Sequence, residues 1–400
     1  MIFQYEQAET LIEQTITQIG KSPLTPSVID SLRKLFPDTP YEIIYEAIDI
    51  AQGTIHARQS GKFSEKYSDW LFTKQTFEQS TSDIIAANHA SKFENCESVL
   101  ELCTGSGIDT FALASTQKAV TTIESDKDIA ALAGRNFHLK ENTTITLLEG
   151  KAEDIVPQLL TKTKFEGIWA DPSRRTSEGK RKSLSAKDYQ PDLNWIMNIS
   201  HNGIMGIKIS PALTLEQLPD GWVREWIGYK NECREQILWK NTGICEGTVS
   251  LVDKNAIWRP MHKKVSPFDI LISLNDAQFL VEPNSCLIRC GYLAEFYQNS
   301  NIGLFDHRIG YGISNKQPPD SPFLSTFEII ECLPFNYKLL QKRITELGWD
   351  KETEIKKRGF PELPDEVRRK LRFSAGDGRG VIILSQHEKQ KIVFLAKRVK

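Results

Sequence analysis

The chain has 400 residues with a formal net charge of −2 at pH 7, a length that favours two or three domains over a single core. The near-neutral balance excludes a global pull toward nucleic acid or membrane, so any such binding must come from local patches. The seven cysteines and seven histidines show no CxxC, HExxH or HxH spacing, which predicts no metal and fits a reducing cytoplasm better than a disulfide framework.

The opening MIFQYEQAET has neither a basic stretch nor an apolar one, so it does not read as a signal peptide. No apolar run approaches the roughly 18 residues of a membrane span. The expectation is a cytoplasmic protein with no membrane partner.

Residues 1–92 read as helical. Leu11, Ile12, Ile16 and Ile19 fall at helix spacing, Pro23 and Pro26 interrupt it, and a second helix follows Pro40 with Ile43, Ile44, Ala47, Ile48 and Ala51. A third helical stretch is predicted from about Asp69 through Asn88. From Ser98 the pattern alternates: SVLELC is a strand, DTFALAS a helix, VTTIES a strand, DIAALAGRNFHLK a helix, and ITLLEG, GIWADP and GIMGIKIS three more strands. Such alternation implies βαβ units and a mainly parallel sheet. EWIGY and REQILW suggest an antiparallel pair closing it. After about Pro260, FDILISL, CLIRCGYL, STFEIIECL, ETEIKKRGF, GVIILSQ and KIVFLAK look like strands, with NYKLLQKRITELG and PDEVRRKLRF as helices between them.

The strand VLEL ends at Glu101 and runs into CTGSG and a helix. Gly105 and Gly107 let the backbone turn tightly and approach a ligand with no Cβ in the way, and the helix that follows offers free N–H groups. Glu101 lies at the carboxyl end of the first strand, where open α/β sheets bind ligands, and is placed to pair with an ammonium group. Glu124 ends the second strand, the position of an acid that accepts from ribose hydroxyls. An ammonium and a ribose together describe S-adenosylmethionine. A dinucleotide would call for a third glycine where Thr110 stands, and no GxxxxGK[ST] loop occurs.

VLELCTGSGIDTFALA followed by VTTIESD resembles motif I and the segment after it in class I S-adenosylmethionine-dependent methyltransferases. The form acid–x–Cys–x–Gly–x–Gly is similar to RNA and DNA base methyltransferases, in which the first glycine is often replaced, as Cys103 replaces it here. The resemblance implies a cofactor site built from Glu101, Cys103, Gly105, Gly107 and Glu124. Where many relatives carry an aspartate for the adenine amino group, this chain has Lys151. The adenine contact then falls to the Ala152 backbone and to Glu153 or Asp154, unless those acids merely cap the next helix.

The fourth strand ends in WADPSRR. Amino-group methyltransferases carry [D/N/S]-P-P-[aromatic] there, and the resemblance implies that Asp171 and Pro172 orient the acceptor. Ser173 and Arg174 stand in place of the second proline and the aromatic, so Trp169 or the Arg174 guanidinium must supply any stacking. The loop RRTSEGKRKSLSAK, with Arg174 and Arg175, either holds substrate phosphates or is simply solvated. Lys208 either faces the same pocket or is a strand-edge lysine.

FEIIECLPFNYKLLQKRITELGW, EIKKRGFPELPDEVRRKLRF and the closing strand pair resemble the THUMP-like domain attached to one methyltransferase group, in the order strand, helix, strand, helix, strand, strand. THUMP domains bind RNA, which implies an RNA partner, tRNA or rRNA, held in part by Lys357 and Arg358. The reading is therefore an α/β chain with a Rossmann-like seven-stranded methyltransferase sheet, an N-terminal helical region and a C-terminal α+β THUMP-like domain. Its expected parts are 1–92 helical, 93–258 methyltransferase, 259–320 a small α+β linker module, and 321–400 THUMP-like. Methylation of a protein or small molecule, or a non-catalytic RNA scaffold, remain alternatives to RNA methylation.

Overall fold

A computed structural model of the protein describes residues 2–21, 24–115, 119–138, 144–174, 186–213 and 218–399. The chain divides into two compact units, one of Met1–Val223 with Glu235–Ile244, the other of Arg224–Arg234 with Cys245–Lys400.

The first unit opens with helices, as the 3.6-residue spacing predicts: Ala8–Lys21, Pro26–Leu35 and Tyr41–Gln59. The third stretch splits into Lys74–Gln79 and Asp83–Ser91. Thr73 starts the former through a reciprocal pair with Thr76, and Ser80 leaves helical geometry with ψ 141. These helices do not stand apart from the sheet domain. Leu11, Ile12, Ala47, Ile50 and Leu71 share one core cluster with Leu132, each large aliphatic contributing about 1.5–3 kcal/mol on burial. Asn136 clamps the backbone of Leu71 from both sides, accepting from its N–H at 2.9 Å and donating to its carbonyl at 3.0 Å.

The strands of this unit are β1 (Ser98–Leu102), β2 (Ala119–Glu124), β3 (Ile145–Glu149), β4 (Gly167–Ala170) and β5 (Ile204–Ile209); β6 (Trp222–Tyr229) passes into the second unit at Arg224, and β7 (Glu232–Lys240) returns to the first at Glu235. The sheet runs β3-β2-β1-β4-β5-β7-β6, seven strands of a hydrogen-bonded order that counts nine in all, two more than the seven expected. The first five are parallel, and β7 is antiparallel to β5, with Met205 opposite Lys240 and Ile209 opposite Gln236. The order reverses between β1 and β4, which opens a crevice at the carboxyl ends of the strands. This is the Rossmann-like parallel arrangement expected from the alternation. Leu100, Leu102, Ile168, Ala170, Met205 and Ile207 fill one face against Val156, Leu193 and Ile196.

In the second unit β8 (Thr248–Leu251) pairs parallel with β6 and antiparallel with β9 (Ala256–Trp258). A second sheet contains β10 (Phe279–Pro283), β11 (Gly303–Leu304), β12 (Gly312–Ser314), β13 (Leu324–Pro334), β14 (Glu354–Lys357), β15 (Val381–His387) and β16 (Gln390–Arg398), in the order β11-β12-β10-β13-β16-β15-β14. Helices Tyr337–Glu346 and Pro364–Arg369 complete the predicted strand–helix–strand–helix–strand–strand order. The 259–320 stretch contributes β10, β11 and β12 to the same sheet.

Two expected strands in that stretch are not strands. CLIRCGYL forms helices Ser285–Arg289 and Leu293–Asn299. The Asn284 side chain accepts from Cys286 N–H and starts the first helix, while Cys286, Leu287, Cys290 and Ala294 repeat at helical spacing into a core with Trp226 and Tyr297. FDILISL begins as a 3-10 turn, Pro267–Ile270, started by Ser266 with proline at its first position. Proline's fixed φ and missing N–H suit a helical first turn better than a sheet ladder.

Candidate functional site

The loop after β1 has the backbone that a glycine-rich turn requires. Cys103, Gly105 and Gly107 all take positive φ, at 70, 55 and 88, and Gly107 is the N-terminal cap of helix Ile108–Ala114. The two glycines serve different ends. A Cβ on Gly107 would lie 2.4 Å from Phe137 Cε1, whereas one on Gly105 would meet nothing within 4 Å. Gly107 is therefore a packing glycine, and Gly105 presents bare backbone to open space. Cys103 N–H donates to the Ile123 carbonyl at 2.9 Å, anchoring the loop to β2. Burial and then the Glu124 carboxylate hold the Cys103 thiol protonated, well above its usual range.

The two predicted acids bracket this loop from different sides. Glu124 Oε2 accepts from Gly105 N–H at 2.9 Å and its Oε1 from Asp126 N–H at 3.0 Å. Glu101 is only 1% exposed. Its Oε2 accepts from Thr110 Oγ1 and, at 2.7 Å, from Thr122 Oγ1. Burial pushes its carboxyl well above the usual range, with the two threonine hydroxyls opposing. The Glu101 carboxylate is therefore buried, and two hydroxyls, one on the helix after the loop and one on β2, already engage one of its oxygens. Ala152 is buried and begins helix Ala152–Lys162, with Glu153 and Asp154 exposed in its first turn and no side-chain cap at Lys151.

At the tip of β4, Asp171 is part-exposed, Pro172 buried and Ser173 exposed. Ser173 exchanges backbone hydrogen bonds with Gln190 at 2.9 and 3.0 Å. The Arg174 guanidinium lies 6.0 Å over the Tyr189 ring, and Tyr189 Oη accepts from Ser210 N–H at 2.8 Å. Trp169 does not meet the expectation of a stacking plate for a base. It is 0% exposed and packs on His89 at 4.4 Å and Trp239 at 5.7 Å between ring centroids, so its faces are already covered. Arg175 and the rest of the basic loop to Leu184 and Ser185 lie outside the described residues.

Lys208 reaches the tip of β4 rather than a strand edge. Its Nζ lies 2.7 Å from Asp171 Oδ2 and 3.5 Å from Glu235 Oε1, and donates to Thr81 Oγ1 at 2.9 Å. Glu235 Oε2 is 3.0 Å from His89 Nε2, and His89 Nδ1 is 2.8 Å from Asp109 Oδ1. Burial opposes a charge on His89, but the Glu235 and Asp109 carboxylates outweigh it and raise its pKa to about 9. Against burial, His89 holds Asp109 below the usual carboxylate range, and Lys208 and His89 do the same for Glu235. Asp171 moves the other way: burial raises it and Lys208 only partly offsets this. His89, Asp109, Glu235 and Thr81 were missed from the sequence. They belong to four separate segments whose meeting only the fold reveals.

In the second unit the expected basic grip is partly engaged within the protein. Arg358 lies 4.9 Å over the Tyr311 ring, and Arg368 donates to the Lys351 and Thr353 carbonyls at 2.6 and 2.5 Å. Lys370 pairs with Glu362 at 2.8 Å. Among the described residues, Lys357 is half-buried and Arg372 exposed, and neither side chain joins the ion pairs around them.

Among curated proteins no sequence matches the chain. Among solved structures, the chain is similar to a candidate methyltransferase from Porphyromonas gingivalis W83, with a TM-score of 0.72 and 18% identity over 98% of this chain and 99% of that one. Cofactor-bound Rv0187 from MTB overlays 55% of this chain and 98% of its own at 13% identity and a TM-score of 0.31. TrmN from Thermus thermophilus overlays 39% and 48% at 20% identity and a TM-score of 0.28. The last two overlays are too loose to inform the site. Residues 324–398 match the THUMP domain-like family, and the chain as a whole has the fold of the Porphyromonas protein.

Proposed function

We propose that this chain is an S-adenosylmethionine-dependent methyltransferase acting on a base of a structured RNA, tRNA or rRNA, in the cytoplasm. The observation that carries the reading is the pairing of Glu124 with Gly105. A carboxylate at the tip of β2 fixes the N–H of a positive-φ glycine whose missing side chain leaves open space.

The residues present fit such a cofactor. Glu124 and the Gly105 backbone would hold its ribose and amino-acid portion. Ala152 and Glu153, just past the tip of β3, would contact the adenine end. Glu101 would act through Thr110 and Thr122, which tie it to the helix after the loop and to β2. The cofactor supplies an already activated methyl group, so the chain's main task is alignment. Asp171 Oδ2 is held by Lys208, which leaves Oδ1 to accept a hydrogen bond from the acceptor. Arg174, backed by Tyr189, offers a guanidinium plane on which a base can stack. Lys357 with Arg372 would contact phosphates from the second unit, with Arg358 contributing through its outer face, and the THUMP domain-like match supports an RNA partner.

The test is radiolabelled methyl transfer to total RNA from a strain lacking the gene, followed by nucleoside mass spectrometry. A labelled nucleoside that vanishes with Asp171→Asn is the expected result. Cofactor binding by calorimetry without transfer to any RNA would favour methylation of a protein or small molecule, or a scaffold role. Absence of cofactor binding would overturn the reading.

A further inference from the structure

Five ionisable side chains in the first unit alternate in sign through successive contacts: Asp109, His89, Glu235, Lys208, Asp171. They come from the helix after the cofactor loop, helix Asp83–Ser91, β7, β5 and the tip of β4. The links measure 2.8, 3.0, 3.5 and 2.7 Å. Four of the five are nearly closed to solvent, with His89 at 1%, Asp109 and Glu235 at 9% and Lys208 at 14% side-chain exposure; Asp171 stands at 28%.

Burying such a chain is not an efficient route to stability, because apolar residues of similar volume generally do as well or better. Its charge distribution points to another role. Three carboxylates face two cations, so one negative charge is left over. Desolvation drives that surplus toward the end open to solvent, and the open end is Asp171. The lysine fixes one oxygen of that carboxylate and Glu235 competes for the same lysine.

We propose that Asp109, His89, Glu235 and Lys208 form a buried chain of alternating charge that sets the orientation and ionisation of Asp171, making His89 and Glu235 positioning residues for the methyl acceptor. This rests on the assignment of Asp171 to the acceptor site. It also makes the N-terminal region part of the reaction centre, since His89 lies on helix Asp83–Ser91 and Thr81 just before it.

The chain makes a prediction that a purely structural cluster does not: its members must move Asp171 in opposite directions. His89→Gln removes a cation and raises the pH at which Asp171 titrates. Glu235→Gln and Asp109→Asn each remove an anion and lower it. The other groups acting on Asp171 and its surroundings, Lys208, Glu101 and Cys103, are unchanged in all three variants. The experiment follows the 13C carboxyl resonance of Asp171 in the full chain, assigned by its loss in Asp171→Asn, as a function of pH. Shifts of about 1 unit, upward for His89→Gln and downward for the other two, are expected. If His89→Gln does not fold, the downward shifts of the two remaining variants carry the test. Absent shifts, or an upward shift in Glu235→Gln or Asp109→Asn, would overturn the proposal. The readout needs no substrate. Opposite shifts without RNA methylation uphold the chain and sink the RNA reading, and methylation without the shifts does the reverse.

Discussion

Lys208 Nζ sits 2.7 Å from Asp171 Oδ2, so the fifth strand of the sheet fixes the carboxylate at the tip of the fourth. Lys208 is nearly closed to solvent and also neutralises the buried Glu235 at 3.5 Å, so removing it leaves an uncompensated buried charge. Lys208→Met is expected to destabilise the protein by about 3–5 kcal/mol, with Lys208→Arg costing less. Denaturant titration at pH 7 measures both, and a Lys208→Met protein as stable as the parent would refute the pairing.

The stability of the protein should fall on the alkaline side as His89 loses its proton. The imidazole titrates near 6.5 when unfolded and about 9 when folded. Its contribution is therefore complete below about pH 6.5 and is lost as pH rises through 9, an effect of about 3 kcal/mol by linkage. Thermal melts between pH 6 and 10 should show this loss in the parent and not in His89→Gln. Equal pH dependence in the two proteins would contradict it.

Gly105→Ala and Gly107→Ala should separate binding from folding. At Gly107 the new Cβ collides with the Phe137 ring and the residue is also in the left-handed region, a combined cost of about 3 kcal/mol or more. At Gly105 there is no collision, so only about 1 kcal/mol of backbone strain remains. Gly105→Ala should fold yet lose at least about tenfold in S-adenosylmethionine affinity by calorimetry, about 1.4 kcal/mol. Unchanged affinity would remove Gly105 from the cofactor site.

Neutralising Lys357 and Arg372 should weaken RNA binding uniformly across sequences and lower the salt slope by about 1 per residue. Arg358→Ala should behave differently, costing stability because the guanidinium packs on Tyr311. Filter binding at several salt concentrations and a thermal melt distinguish the two outcomes.

The order of elements was legible in the sequence wherever the hydrophobic period was clean. The strands from Ser98 to Ile209 and those from Leu324 onward announced themselves by apolar runs between glycines, and Glu124, Gly105 and Gly107 by their places at strand ends. CLIRCGYL failed because a short apolar run has no decisive period, and the Asn284 cap, a single side-chain hydrogen bond, decided for helix. Glu101 could be assigned to a strand tip, but which way its carboxylate turned depended on Thr110 and Thr122, nine and 21 residues away. His89 and Glu235 carried no local signal, since they meet across separations that no motif spans.

The clasp of Asn136 on the Leu71 backbone bears on how this protein can be dissected. A fragment beginning at residue 93 would keep every recognisable motif of the Rossmann-like sheet. It would nevertheless present a bare Leu132, leave Asn136 with an unfilled amide, and strip Asp109 and Glu235 of the imidazolium between them. Such a fragment should aggregate or melt early, so the leading helices cannot be traded away without rebuilding the packing beneath the Rossmann-like sheet.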